Sequence, residues 1–164
     1  MKRILFIMMM VMACVSMSAQ NAPFTTKFTS LFEKFEDAKN VESVYISKTM
    51  FELVGAKKIG DMSVKNIPIG DKISKIDHLY ILSSKDAKMA ERLADAFADY
   101  YKEGKFEELM RVKNDGQKTT IYMRQLKNKM NELGLFSTGD GSARIISLVG
   151  MLTIEDIKDV VGKK

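Results

Sequence analysis

The sequence predicts a two-layer α+β domain, in which helices pack on one face of a mainly antiparallel sheet. Two observations lead to this fold class. Segments with helical apolar periodicity alternate with short strand-like segments before Gly104, and four strand-like segments separated by turns follow it. These four strands predict a C-terminal four-stranded meander, and the amphipathic helices need an apolar sheet face on which to pack.

The N-terminus has the three parts of a secretory signal peptide. Residues 1–3 include two basic side chains, residues 4–15 are uncharged and apolar, and small residues follow up to Ala19. The apolar part has about a dozen residues, too few for a membrane-spanning helix, which needs about 20. We therefore predict a signal peptide over 1–19 and a single exported domain over 20–164, periplasmic or associated with the outer membrane.

Cys14 is the only cysteine of the chain, and it leaves two interpretations open. Cleavage after Ser18 or Ala19 removes it and releases a soluble protein. Alternatively, residues 11–14 (Val-Met-Ala-Cys) resemble a lipobox, in which Cys14 is lipidated, although Met12 fits that pattern poorly. In the soluble form no thiol remains for a disulfide, a thiolate nucleophile or a zinc–thiolate site.

The charge of the chain is mildly basic and carries little information about partners. The formal net charge is +5, removal of the leader lowers it by two, and the lysines are scattered along the chain. Without a basic stripe, we expect no nucleic-acid binding. An exported domain is expected to meet an envelope protein, and membrane contact is expected only through a lipid anchor. The sequence predicts no oligomeric state.

Residues 24–38 have the apolar periodicity of an amphipathic helix. Four phenylalanines recur on one face at spacings of three and four residues: Phe24, Phe28, Phe32 and Phe35. Such a stripe usually packs on the protein's own sheet. The alternative is that these four rings bind a ligand or a partner.

The middle of the chain predicts two strands, each followed by a helix. Residues 44–46 form a short strand, after which Ser47 caps a helix that ends at Gly55. Residues 56–76 are irregular and predict edge segments or a long surface loop. Residues 79–82 form a buried strand. The two strands are expected to pair in parallel through their connection.

The strongest helical pattern covers residues 85–102, with a cap from Ser83 or Ser84 and an end at Gly104. Its predicted buried stripe consists of Ala90, Leu93, Ala94, Phe97 and Tyr101. The glutamate and aspartates on another face are typical of a solvent-exposed helix surface.

The C-terminal part predicts the meander and a last helix. The first two strands meet at Asn114-Asp115-Gly116, which is a hairpin signal. A second turn covers residues 138–142, and residues 143–149 are apolar on both faces, which predicts a central strand. Residues 153–156 fit a capping box that opens the last helix.

No pattern in the sequence carries recognisable catalytic or metal chemistry. His78 is the only histidine, and although Asp77 precedes it, no serine lies in a nucleophile-elbow pattern. A zinc site needs several His or Cys ligands. A glycosidase needs two facing carboxylates, for which Glu107, Glu108 and Glu132 are candidates by their strand positions alone. We therefore predict no catalytic residues, no metal and no cofactor.

The chain resembles a family of exported or lipid-anchored Bacteroidota proteins that contain domain of unknown function 4252. The resemblance rests on segments in a shared order: 44–51, 79–82, 106–110, 121–122, 131–133 and 146–150. It covers most of the chain after the leader and implies no activity and no catalytic residues. Genes of such proteins often lie beside sigma and anti-sigma factor genes, which implies a role in envelope sensing.

Together these observations predict a non-catalytic periplasmic interaction or sensing domain linked to envelope signalling. Two alternatives remain open. A carrier of small apolar ligands would use a pocket between the phenylalanine-rich helix and the sheet. A carboxylate-based hydrolase would need two of the strand glutamates to face each other across a cleft.

Overall fold

The computed structural model describes residues 26–53 and 74–156. The predicted leader, Phe24, Cys14, most of the irregular segment 56–76 and the body of the last helix lie outside these residues. The described chain forms one six-stranded sheet with two long helices, as the predicted α+β class requires. The helices and strands are α1 Thr26–Glu36, β1 Glu42–Ser47, β2 Ile76–Ser84, α2 Ala87–Glu103, β3 Glu107–Asn114, β4 Gln117–Gln125, β5 Asn131–Gly139 and β6 Ser142–Gly150.

The strand order is β1-β2-β6-β5-β4-β3, and every neighbouring pair is antiparallel. Strands β3 to β6 form the predicted meander. Strand β6 lies between β2 and β5, so its predicted central position is confirmed. This position explains its composition, because a strand covered on both faces needs apolar side chains on both.

The predicted parallel pairing of the first two strands is wrong. Ser47 at the end of β1 is opposite His78 near the start of β2, and Glu42 is opposite Ser83. The connection therefore leaves and re-enters the sheet at the same end, which makes the strands antiparallel. A parallel pair would need the connection to travel back along the full length of the strands.

The two predicted hairpin turns are confirmed. Asp115 and Gly116 have φ values of 43° and 82°, and Asp140 and Gly141 have φ values of 51° and 67°. Two consecutive residues with positive φ match the twist of antiparallel strands in a tight hairpin, and Asp-Gly adopts this conformation readily. These turns set the register of the meander.

One face of the sheet, here called the helix face, is covered by α1 and α2. Phe28 of α1 contacts Tyr80 of β2 and Phe97 and Tyr100 of α2, with ring centroids 5.3–5.4 Å apart. Close packing of rings with tilted or edge-to-face geometry favours a rigid interface. The buried residues of this layer are Phe28, Phe32, Phe35, Tyr80, Leu82, Ala90, Leu93, Phe97, Tyr100, Tyr101, Ala143 and Ile145.

The opposite face carries a second apolar layer. Phe51, from the helical residues 48–53, and Leu152, which follows β6, pack against it. The buried sheet residues of this layer are Ile76, Leu79, Ile81, Ile121, Leu133, Ile146 and Leu148. Val44 and Ile46 of β1 extend it to the edge of the sheet, where they are partly buried.

The helix caps agree with the sequence at two of three places. The amide of Met50 donates to Ser47 Oγ at 3.4 Å, and Thr153 and Asp156 form a reciprocal capping box at 2.9 and 3.2 Å. The cap of α2 is Asp86, which accepts from Met89 N at 2.9 Å, so the prediction of Ser83 or Ser84 is wrong.

Ser84 is not the cap itself but contacts the cap residue Asp86. Its hydroxyl accepts from the amide of Asp86 at 3.2 Å and donates to the carbonyl of Asn40 at 2.7 Å. The side chain thereby holds the start of α2 beside the chain that leads into β1. A carboxylate is an equally good N-cap, and only the backbone conformation decides which residue occupies that position.

Candidate functional site

Both edges of the sheet are open among the described residues. No strand within residues 26–53 and 74–156 pairs with the outer side of β1 or of β3. Unpaired backbone groups at an edge are a template for another strand, so proteins usually protect them with charges, bulges or prolines. The two edges differ in this respect.

The β3 edge carries the features of a protected edge. Glu107, Glu108, Arg111 and Lys113 place charges along it, and the Arg111 guanidinium forms an ion pair with Glu108. The register with β4 shifts between Glu108 and Met110, which is a bulge or a similar irregularity. Charges and a local irregularity both disfavour the addition of a further strand.

The β1 edge has no register shift and little charge. Its six residues pair with β2 without a register shift, and Glu42 at its start is its one charged residue. The middle of the strand presents Val44 and Ile46 on the opposite face and Tyr45 on the helix face. Tyr45 is 50 % exposed. A regular, uncharged strand with an exposed aromatic ring is suited to pairing with another extended segment.

Tyr45 is held in place by two rings of β2. It stacks on Tyr80 with centroids 4.8 Å apart, and its hydroxyl lies 3.2 Å from Nδ1 of His78. Burial lowers the pKa of His78, and the Asp77 carboxylate opposes this in part. A lowered pKa favours the neutral imidazole at pH 7, whose Nδ1 accepts a hydrogen bond from the phenol hydroxyl in one tautomer and donates one to it in the other. The arrangement gives Tyr45 a fixed orientation at the edge.

An open cavity of about 710 Å³ lies beside the start of β1. Its charged lining residues are Glu42, Lys85, Asp86 and Arg144, so both signs are present in equal number. The mixture of charges disfavours an apolar ligand in this cavity.

A second polar site lies beneath α2, and its central carboxylate is not accessible to solvent. The Glu132 side chain on β5 is 0 % exposed. One carboxylate oxygen accepts from the Tyr100 hydroxyl at 2.7 Å and from Ser147 Oγ at 3.2 Å. The other accepts from Arg124 Nε at 3.0 Å and lies 2.8 Å from Nη2. We call these four side chains the Glu132 network.

The pKa values of this network reflect its burial and the interactions among its own groups. Burial raises the pKa of Glu132, while the Arg124 charge and the hydrogen bonds from Tyr100, Arg124 and Ser147 lower it. Burial likewise raises the pKa of Tyr100 far above its usual range. The Arg124 guanidinium also donates to the carbonyl of Gly104 at 3.3 Å and lies over the Phe106 ring at 4.5 Å. The side chains of the Glu132 network therefore have their hydrogen-bond partners within the chain.

The three glutamates named as hydrolase candidates are not brought together. Glu107 is opposite Met123, whose side chain belongs to the opposite face, whereas Glu132 belongs to the helix face. Glu108 pairs with Arg111 at the β3 edge. The geometry therefore does not place two of these carboxylates across one cleft.

The predicted binding residues of α1 have an internal position. Phe28, Phe32 and Phe35 are buried, with exposures of 1–4 %. Their rings fill the interface between α1, α2 and the sheet. Phe24 and Cys14 lie outside the described residues. A binding role for this stripe would require α1 to leave the sheet.

Sequence reasoning did not identify the contacts of Tyr45 or the Glu132 network, although it named Glu132 as a candidate carboxylate. The predicted stripe of α2 lacks Tyr100, although this residue lies three residues after Phe97 and is 1 % exposed. That spacing was an available signal. Arg124 and Glu132 gave no signal of burial, because charged residues that alternate with apolar ones in a strand normally face solvent. Within the described ranges no group of three or more His, Cys, Asp or Glu side chains could hold a metal ion.

None of the helices in the described part of the chain has the length and apolar character needed to cross a membrane.

Comparisons with known proteins give the family and no further relatives. No curated protein matches the chain, and no solved structure matches it. A family model described as "Domain of unknown function (DUF4252)" matches residues 35–160, from the end of α1 to beyond β6. Because this match covers more than half of the chain, the protein belongs to the DUF4252 family.

Proposed function

We propose that this protein is a non-catalytic interaction domain of the bacterial envelope, which binds an extended protein segment along the outer edge of β1. The observation that carries the proposal is the contrast between the edges. The β3 edge has charges and a register shift, whereas the β1 edge is regular and uncharged in its middle. Within the described residues the β1 edge has no such protection, and an unprotected edge favours aggregation unless a partner covers it.

Binding by strand addition draws affinity from backbone hydrogen bonds and specificity from alternate side chains. On β1, Val44 and Ile46 would contact partner side chains on the opposite face of the sheet, and Tyr45 would do so on the helix face. Cross-strand aromatic and β-branched pairs each contribute about 0.2–1 kcal/mol. The contacts of Tyr45 with Tyr80 and His78 reduce the ordering cost of binding, because the ring is already oriented.

The Glu132 network supports the non-catalytic part of the proposal. A general acid or base must reach the proton that it transfers. The Glu132 carboxylate accepts three hydrogen bonds from the chain around it, forms an ion pair with Arg124 and has no exposed surface, which supports a structural role. The envelope location and the role in sensing rest on the predicted signal peptide and on the sequence resemblance.

A photo-crosslinking experiment tests the docking site. The photoreactive residue p-benzoylphenylalanine replaces Tyr45 on the β1 edge in one strain and Val112 on the β3 edge in another, and the cells are irradiated. Val112 is a matched control, because it is 46 % exposed and also lies on an edge strand. We expect a discrete protein adduct from position 45 that position 112 does not give, identified by mass spectrometry. Equal adducts at both positions, or none at position 45, would contradict the proposal.

A further inference from the structure

We propose that the segment bound by β1 is β1 of a second copy of this chain. The two sheets would then join across a two-fold axis through Tyr45 into one continuous antiparallel sheet. This inference rests on the proposed function, because it uses the same edge and names its occupant.

The chemistry of residues 42–48 is symmetric about Tyr45. The segment reads Glu-Ser-Val-Tyr-Ile-Ser-Lys, so equal steps from the tyrosine meet two β-branched residues, then two serines, then opposite charges. When two identical strands pair antiparallel about their centre, each residue is opposite its mirror position. Val44 would be opposite Ile46 and Ser43 opposite Ser47 of the second copy, and Glu42 at the start of β1 would lie beside Lys48, the first helical residue after β1.

The faces of the sheet agree with this register. A two-fold axis perpendicular to the sheet keeps each face continuous, so residues opposite each other must point to the same face. Val44 and Ile46 both belong to the apolar layer of the opposite face, which the second copy would extend. Tyr45 points to the helix face, where the second Tyr45 would cover the exposed half of its ring.

The neighbouring symmetric register fits less well. A two-fold axis through Val44 would place Glu42 opposite Ile46 and Ser43 opposite Tyr45. This would bury a carboxylate against an aliphatic side chain and would leave Lys48 without the opposite charge. Opposite charges and like apolar side chains across strands are favourable, whereas these mixed pairs are not. A two-fold axis through Ile46 would in turn place Tyr45 opposite Ser47, so the side chains favour the axis through Tyr45 over both neighbours.

Lys48 is available for the terminal pair. Its side chain is 51 % exposed, and its Nζ lies 3.3 Å from Asp77 of its own chain. An ammonium group has three donors, so it can contact Asp77 and the second copy's Glu42 together. Because pairing through a short strand buries much less than the ~1,600 Å² of a standard interface, the dimer should be weak and concentration-dependent.

Cysteine substitution tests the register directly. In the full-length chain with Cys14→Ser, the variant Tyr45→Cys has one thiol, which would face its symmetry mate. Opposite Cα atoms in an antiparallel pair are about 4.5–5.5 Å apart, within the range of about 4.4–6.8 Å that a disulfide accepts. We expect a disulfide-linked dimer under mild oxidation, and wild-type sedimentation that shifts toward dimer as concentration rises.

Two controls share the same edge. Ser43→Cys alone should not crosslink, since its own symmetry mate lies about 14 Å away along the strand. A mixture of Ser43→Cys and Ser47→Cys should form the mixed disulfide, because these positions are opposite each other. Crosslinking of Ser43→Cys alone as efficiently as Tyr45→Cys, or preferential crosslinking of Val44→Cys, would overturn the proposed register.

The failure of this inference differs from the failure of the proposed function. A wild-type protein that stays monomeric at every concentration, with no Tyr45→Cys dimer, would overturn the second copy as occupant. If position 45 still gave a photo-adduct with another protein, the β1 edge would remain a docking site. If position 45 gave no adduct as well, both proposals would fall.

Discussion

Beneath α2, both oxygens of the Glu132 carboxylate have hydrogen-bond partners within the chain, whereas the outer side of β1 pairs with no described strand. Both regions carry polar groups in a sheet that is apolar on both faces. In the Glu132 network the chain satisfies these groups itself, and their contribution is to stability. Along β1 the outer backbone groups have no strand partner within residues 26–53 and 74–156, and we propose that they pair with another molecule. The Glu132 network thus stabilises the fold, whereas the outer side of β1 is the surface that we propose for binding.

The largest loss of stability should follow from Arg124→Ala, which leaves the Glu132 carboxylate buried without its counter-charge. Removing one partner of a buried ion pair costs about 3–5 kcal/mol of unfolding free energy. Urea denaturation of the purified protein measures this loss. Arg111→Ala is the matched control, because its ion pair with Glu108 lies at the exposed β3 edge. Exposed pairs contribute about 0–1 kcal/mol, so equal losses would show that the Glu132 network does not stabilise the fold.

A smaller loss of stability should distinguish two adjacent tyrosines of α2, Tyr100 and Tyr101. Tyr100→Phe removes the hydroxyl that donates to Glu132 and accepts from Arg124, both at 2.7 Å, and should cost about 1–3 kcal/mol. The Tyr101 hydroxyl is buried and has no hydrogen-bond partner among the described residues. Tyr101→Phe should therefore be neutral or stabilising by about 1 kcal/mol. Thermal unfolding of both variants decides the point, and a larger loss from Tyr101→Phe would contradict this account of the network.

The tyrosine pair also shows how close packing differs from hydrogen bonding at this interface. A Cβ atom on Gly134 of β5 would lie 2.5 Å from the ring and hydroxyl of Tyr101. Tyr101 therefore occupies the space that a side chain at position 134 would need. Its ring also stacks on Tyr122 with centroids 4.4 Å apart. The two neighbours on α2 thus contact the sheet in different ways, one by polar groups and the other by shape.

What the sequence could predict depends on how local its causes are. The Asp-Gly turns, the apolar composition of β6 and the Thr153 capping box are encoded within a few residues, and all are confirmed. The direction of β2 relative to β1 depends on where their connection re-enters the sheet, which no short pattern encodes. Asp86 replaces Ser84 as the cap of α2 because backbone conformation selects one of several suitable side chains.

The burial of Glu132 and the edge position of β1 could not be predicted, for a related reason. Glu132 is buried because α2 lies over β5, and the sequence contains no signal for that contact. The symmetry of residues 42–48 is visible in the sequence, but it has meaning only once β1 is known to be an edge strand. In both cases the chemistry is local and the environment that gives it a role is not.

The smallest effect on stability, and the sharpest test of the comparison, comes from giving the β1 edge the protection that β3 already has. Val44→Lys places a charge on the opposite face at the β1 edge, where the long side chain can direct its ammonium group to solvent. We expect a loss of no more than about 1 kcal/mol in unfolding free energy, because Val44 is only partly buried. Val112→Lys on β3 should change it by no more than about 0.5 kcal/mol.

These two lysine variants should differ far more in binding than in stability. When Tyr45 is replaced by the photoreactive residue, adding Val44→Lys should abolish the adduct, because a lysine that points along an edge opposes strand addition. Adding Val112→Lys instead should leave the adduct intact. If Val44→Lys unfolds the protein, then β1 belongs with the Glu132 network as a stabilising element. If it leaves both the fold and the adduct unchanged, the outer side of β1 is not where another segment binds.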